Sequence, residues 1–244
     1  MEQPWKNVVY RRYNTLFGVS VDQKTWYQAY VPYGRLIITR CFPKDPNVAI
    51  LDVGCGTGGF LKVFADAGYV NCTGVDISEE SVQLANEFGL HQVVQEDMFK
   101  YLKDVQSESK DVILFLDVLE HFAKEEILTL LNEARRVLKS EGRIVIHVPN
   151  GEGIFGSRIR YADYTHETAF TSKSVSQVLA FSGFEMRDCY EDRPIAHGPV
   201  SFIRRCLWML FTIPFRVLYA VETGSFDVKL SQNILAVGIK TGSA

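Results

Sequence analysis

Two kinds of hydrophobic spacing succeed one another along this chain. Up to about residue 45 the large side chains are aromatic and recur at irregular helical intervals: Trp5, Tyr10, Tyr13 and Phe17, then Trp26, Tyr27, Tyr30 and Tyr33. That spacing predicts two helices broken near Gly18. After Pro43 and Pro46 the pattern changes to short apolar runs alternating with amphipathic segments, the signature of βαβ units and a parallel sheet. Strands are predicted at 48–53, 72–76, 91–95, 110–117, 142–148, 184–190 and 232–240, and helices near 58–68, 79–88, 124–139 and 172–182. Ile113-Leu114-Phe115-Leu116 and Ile144-Val145-Ile146 are apolar on both faces, as strands covered by helices on each side must be. A glycine-rich, aromatic loop is expected from 150 to about 170. No repeat or low-complexity segment interrupts this order.

Between the sixth and seventh strands lies an apolar stretch, 199–222. Phe202 to Phe211 is mostly apolar, Pro214 interrupts it, and Phe215 to Tyr219 resumes it. The spacing is read as a helical hairpin packed on its own domain or on a second subunit, hiding Trp208, Phe211 and Leu218. The alternative for 202–221 is a groove for a lipid-linked acceptor or a peripheral membrane contact, because arginines beside Trp and Phe suit an interface. A spanning helix is not expected. Arg204, Arg205, Pro214 and Arg216 interrupt the segment, and the uncharged run 206–215 is far short of the ~20 apolar residues a bilayer requires.

Composition narrows the class. In 244 residues, 26 Lys and Arg face 29 Asp and Glu, for a net charge of −3, and 47% of residues are hydrophobic. That length buries a full core, and collagen-like or disordered chains are excluded. Without a run of Lys and Arg the chain lacks the electrostatic footprint of a phosphate-backbone binder, so nucleic acid is not expected as a partner. Five cysteines with no CxxC pair read as buried thiols of a reducing cytoplasm. The segment after Met1 has no secretory-signal pattern.

Candidate chemistry begins at residues 50–60, Ile-Leu-Asp-Val-Gly-Cys-Gly-Thr-Gly-Gly-Phe, a strand entering a glycine-rich turn that opens a helix. Gly54, Gly56 and Gly59 also satisfy the dinucleotide fingerprint, so the turn alone leaves NAD open. Asp52, two residues before the first glycine, would repel a pyrophosphate and welcome a cationic ligand. Asp76 ends the next strand, where an acid accepts hydrogen bonds from ribose hydroxyls. Asp97 follows the third strand, placed either to accept from an adenine amino group, with Met98 covering the ring, or to cap a helix over 98–103.

In order and at the usual spacings, DVGCGTG, GVDIS, QEDM, DVLEHF and LKSEGRIVIHVPN resemble the successive motifs of class I S-adenosylmethionine-dependent methyltransferases over about residues 48–150. The resemblance implies a Rossmann-like α/β fold: a seven-stranded, mostly parallel sheet with helices on both faces. It also implies an N-terminal helical lid (1–45) and a methyltransferase domain (46–244) carrying the helical insertion 199–222. S-adenosylmethionine is the implied cofactor and S-adenosylhomocysteine the product. Asp52, Gly54, Gly56 and Gly58 would surround the methionine part and Asp76 would hold the ribose. Ile77 and Met98 would sandwich adenine, Asp97 would bind its amino group, and Asp117 would face the methionine side.

A hydroxyl acceptor must lose a proton. His166, in the loop after the fifth strand with Asp163 to orient it, is the expected base, and His121 is the competitor. His121 lies in Asp117-Val118-Leu119-Glu120-His121, which resembles the DxxEH stretch of ubiquinone-pathway O-methyltransferases, some of which use a divalent ion. With three candidate ligands visible, no metal is assigned. The expected reaction is O-methylation of a sugar, glycan or other small molecule by a cytoplasmic enzyme, monomeric or homodimeric and in contact with a membrane if the insertion serves one. The resemblance extends to bacterial glycan and small-molecule O-methyltransferases. Carbon or nitrogen methylation, an NAD-dependent oxidoreductase and a nucleoside-binding protein without turnover are the alternatives.

Overall fold

The structure is a computed structural model and describes residues 4–12, 15–16 and 22–242. The expected break near Gly18 and the placement of Tyr13 and Phe17 lie outside the described residues, as does the side chain of Trp5. Helix α1 runs Pro4–Arg11 and α2 runs Gln23–Cys41. Asp22 caps α2, its carboxylate accepting from the Thr25 N–H at 2.8 Å, which satisfies one of the orphan donors of a first turn.

The alternating region folds as its patterning requires. Strands β1 (Ile50–Val53), β2 (Cys72–Asp76), β3 (Val93–Gln95), β4 (Lys110–Leu116), β5 (Leu138–Pro149), β6 (Phe184–Glu191) and β7 (Asn233–Lys240) form one sheet in the order β3-β2-β1-β4-β5-β7-β6. Every neighbouring pair from β3 to β5 is parallel, and β7 is antiparallel to both β5 and β6. Between the strands lie α3 (Gly59–Asp66), α4 (Glu79–Glu87), α5 (Met98–Asp104), α6 (Lys124–Val137), α7 (Gly156–Ala162) and α8 (Ser172–Phe181). The aromatic loop expected over 150–170 therefore contains a short helix. Ile113 and Phe115 point to one core and Val112 and Leu114 to the other, one on each side of the sheet, so both faces of β4 are dry, as its unbroken apolar run demanded.

This order has its switch point between β1 and β4, where successive crossovers leave in opposite directions and loops at the carboxyl ends part to form a crevice. The glycine turn after β1 and the Asp117–His121 segment after β4 both sit there.

The insertion departs from expectation twice. Residues Pro199–Thr223 form one continuous helix, α9, with Pro214 inside it, not a hairpin. Proline removes one intrahelical hydrogen bond, and here the helix runs through that loss. The expected burial holds for Trp208, which is half-buried against the domain, and fails for Phe211 and Leu218, which are 65% and 66% exposed. The side chains turned to the protein are the hydrogen-bonding ones. Ser201 accepts from the His197 N–H, Arg216 donates to Glu191 and to the Val228 carbonyl, and Thr212 bonds back to the Trp208 carbonyl. The thiols divide as well: Cys41 and Cys72 are buried, Cys55 and Cys189 half-buried, and Cys206, on α9, exposed.

Candidate active site

The glycine turn is built by backbone necessity. Gly54, Gly56 and Gly58 have φ of 76°, 53° and 74°, the left-handed region that a Cβ disfavours. A Cβ at Gly54 would also lie 2.6 Å from Val118 Cγ2, so the loops after β1 and β4 touch there. Val75 O accepts from the N–H groups of both Gly54 and Cys55. Asp76 completes the turn, its two carboxylate oxygens accepting from Gly56 N–H at 2.7 Å and Ser78 N–H at 2.8 Å.

Helix α2 covers the turn from outside. Trp26 Nε1 donates to Thr57 Oγ1 at 2.7 Å, and the Tyr30 ring lies so close over Gly59 that any Cβ would strike it at 2.3 Å. Tyr33 sets its ring edge-on to His147 at 5.1 Å between centroids, with its hydroxyl buried and unpartnered.

Asp52 is 1% exposed and its Oδ1 has no partner. Burial, helped by Asp76, raises its carboxyl to about 7. A buried acid with an unmet oxygen beside a glycine turn fits a cationic group in the crevice and does not fit a pyrophosphate. Ile77 and Met98 are half-buried, and the Met98 methyl lies 3.7 Å from where a Gly54 Cβ would stand, which places it beside the turn. Asp97 caps α5 through Oδ1, which accepts from Lys100 N–H at 3.1 Å, so the helix-cap reading of this residue holds and leaves Oδ2 for a ligand.

Because Asp52 titrates near neutrality, binding of a cationic group there should tighten as pH rises through about 7, where the carboxylate that attracts it forms. Titration calorimetry with S-adenosylmethionine between pH 6 and 8 checks the sign, and the Asp52→Asn variant should lose the dependence.

Beyond the turn, Asp117 adopts φ 57° and donates its N–H to the His147 carbonyl at 3.0 Å. Its Oδ1 lies 2.7 Å from His147 Nδ1, while Asp192 Oδ2 stands 3.4 Å from Nε2. Burial works against a charge on His147, but Asp117 and Asp192 outweigh it and raise the imidazole to about 10. It is therefore an imidazolium at neutral pH, and the pairing is lost only as pH climbs through that value. Desolvation pushes Asp117 up. The His147 charge and hydrogen bond, with His121 and His166 adding to them, together outweigh it and hold the carboxyl below the ordinary aspartate value.

On the other side of Asp117 a one-turn 3₁₀ helix, Leu119–His121, brings Glu120 and His121 against His166. Ligand atoms of the three lie within 4.8 Å of one another, and the two rings meet edge to face at 4.7 Å. Their tautomers follow from their partners. Thr165 gives its hydroxyl proton to Asp163 at 2.6 Å, so His121 Nδ1, 2.8 Å away, must be a donor to it. His166 Nδ1 donates to the Ile159 carbonyl at 3.1 Å. In the neutral form of each ring the lone pair is therefore on Nε2. His166 Nε2 stands 4.0 Å from Glu120 Oε1, and Glu120 Oε2 is buried without a partner. Burial, with Asp117 nearby, pushes the Glu120 carboxyl well up, while burial and then His166 drive His121 down to about 4. Lys6 of α1 donates to the His121 carbonyl at 2.8 Å and pairs with Glu167, tying the amino-terminal segment to this rim.

Asp163 therefore acts on His121 through Thr165, and the ring orientation of His166 comes from a backbone carbonyl. The sequence pointed to Asp52, Gly54, Asp76, Asp117, His121 and His166, and the structure gathers them at one crevice. It did not point to Tyr33 or Asp192, to a pairing of His147, or to Glu120 meeting His166. Tyr33 was visible only as the last of Trp26, Tyr30 and Tyr33, one helical face. Glu120 was legible as a neighbour of His121, whereas Asp192 carried no sequence signal.

The pattern of the family described as methyltransferase domain matches residues 51–146. An uncharacterised protein of Methanocaldococcus jannaschii is 31% identical over 153 residues, 61% of this chain and 68% of that protein. The ubiquinone biosynthesis O-methyltransferase of Idiomarina loihiensis is 32% identical over 105 residues, 41% of this chain and 42% of the enzyme. The probable tRNA methyltransferase 9B of Homo sapiens is 28% identical over 131 residues, half of this chain but only 28% of its own length. Among solved structures, a SAM dependent methyltransferase from Archaeoglobus fulgidus superimposes with a TM-score of 0.62 at 20% identity, covering 93% of this chain and 98% of its own. The chain belongs to the class I S-adenosylmethionine-dependent methyltransferases, and S-adenosylmethionine is its cofactor.

Proposed function

We propose that this protein methylates a hydroxyl oxygen of a sugar, glycan or other small biosynthetic intermediate. The observation that carries this reading is the pair of imidazole Nε2 lone pairs beside Asp117, since an oxygen acceptor needs its proton removed and amine or carbon acceptors need less help. When bound, the cofactor supplies an electrophilic methyl group on a sulfonium, and the protein's own work is positioning and proton removal. Asp76 would hold the ribose hydroxyls, Ile77 and Met98 the adenine faces, and Asp97 the adenine amino group. Asp52, the glycines of the turn and Asp117 would surround the methionine end. His166 would take the hydroxyl proton. The fit with Idiomarina loihiensis ubiquinone biosynthesis O-methyltransferase supports oxygen, and the net charge of −3 supports a small acceptor over tRNA.

A second reading rests on the same cluster. Two imidazoles and a carboxylate within 4.8 Å suit a divalent cation with open coordination positions, which would polarise the hydroxyl in place of a base. Incubating the protein with labelled cofactor and a panel of sugars, glycans and quinol-like phenols, with and without EDTA, tests both. Labelled ether products insensitive to EDTA support His166 as base, EDTA-sensitive products support the cation, and products methylated only on nitrogen or carbon overturn the oxygen assignment. Thermal shift separates these from the non-enzymatic and NAD alternatives. S-adenosylhomocysteine at 100 times its dissociation constant should add about 2.7 kcal/mol, and NAD should add nothing.

A further inference from the structure

Helix α9 is inside out. At 100° per residue, Ser201, Arg205, Trp208, Thr212, Arg216 and Tyr219 form the stripe that faces the domain, while twelve large apolar side chains between Val200 and Val221 are exposed. They occupy an arc of about 240° of the helix. Soluble monomers seldom expose a contiguous apolar patch of more than a few hundred Å², and a helix with its polar side turned inward has no place in water. One flat protein surface covers at most about half of a helix's circumference, so a second copy of this chain would leave much of the arc wet. A fluid apolar medium closes round all of it.

We propose that α9 lies in the interfacial layer of an anionic lipid bilayer and holds the domain on the membrane. By length and composition it is the one helix among the described residues apolar enough to cross a bilayer, yet its connections keep it on one side. At 25 residues it is about 37 Å long. The chain returns to β7 through 224–232, and nine residues span about 32 Å at full stretch. The helix is also pinned in its carboxyl-terminal third, where Arg216 bonds Glu191 and the Val228 carbonyl. The two exposed charges at the edge of the apolar arc, Arg204 and Glu222, sit near opposite ends of α9, where long side chains reach back to the headgroup level. Arg204 complements lipid phosphate. A cavity of about 500 Å³ runs beneath the amino-terminal half of the helix, lined by Tyr33, Asp192, Arg193, His197, Arg204 and Trp208. Through Tyr33 and Asp192, both in contact with His147, it joins that side of the crevice to the domain-facing stripe of the helix.

The test needs no acceptor and is independent of the oxygen assignment. The full chain is floated with vesicles of phosphatidylcholine and with vesicles containing 30% phosphatidylglycerol. The chain should float with the anionic vesicles, roughly tenfold more tightly than with the neutral ones. Phe211→Glu with Leu218→Glu should stay at the bottom of the gradient, and Arg204→Gln should lose most of the preference for anionic lipid. All three replaced side chains are exposed, so melting temperature and S-adenosylhomocysteine binding should be those of the parent. A parent that fails to float with either vesicle overturns the proposal. So does a dimer by light scattering that the double variant dissociates, since α9 would then be a subunit interface.

Discussion

Replacing His166 with alanine should lower the rate of methyl transfer by ~100- to 10,000-fold, the usual worth of a general base, and should leave cofactor affinity within a factor of a few. The ring is held at Nδ1 by the Ile159 carbonyl, so Nε2 is the atom with a free lone pair, and it stands outside the glycine turn. His121→Ala is the informative partner. If His166 is the sole base, His121→Ala should cost far less, because burial has lowered that imidazole to about 4 and made it a weak base. If the pair holds a cation, the two variants should cost comparable amounts, and each should weaken the cation's effect on melting temperature. Single-turnover rates with saturating cofactor read both. A His166 variant at the parental rate would remove it from the chemistry.

Asp76→Ala should weaken S-adenosylmethionine binding by ~1.5 to 3 kcal/mol, or ~10- to 150-fold, because the acceptor proposed for the ribose hydroxyls is lost. The structure adds a second contribution. Asp76 also accepts from the N–H groups of Gly56 and Ser78, so the variant loosens the turn that receives the ligand. Asp76→Asn separates the two: one amide oxygen can keep one of those backbone bonds, and affinity should fall between parent and alanine. Calorimetry on the three proteins checks the order. Equal affinities for parent and alanine variant would exclude Asp76 from the site.

What the sequence made legible was what local rules determine. Ile113 to Leu116 had to be a strand covered on both faces because no polar position interrupts it. Gly54, Gly56 and Gly58 had to turn because three left-handed residues in five admit little else. Hidden were contacts between residues far apart in the chain that no local pattern marks. His147 meets Asp192 across 45 residues and Asp117 across 30, and His121 meets Thr165 across 44. The orientation of α9 was misread for a different reason. Apolar character assigns Phe211 and Leu218 to the protein side, whereas the domain meets the helix through Ser201, Thr212 and Arg216.

Residues 193–232 leave the sheet and rejoin it at nearly one point: Asp192 N–H donates to Ser231 Oγ at 3.0 Å and to the Asn233 carbonyl at 3.3 Å, and Asn150 N–H donates to the Gln232 carbonyl at 2.8 Å. An excursion whose ends already touch adds little to the closure entropy of the domain, since that cost grows only with the logarithm of loop length. The segment is thus an appendage in the entropic sense: it is held to the sheet by particular bonds, such as that of Arg216 to Glu191 on β6, and is not needed to close the chain.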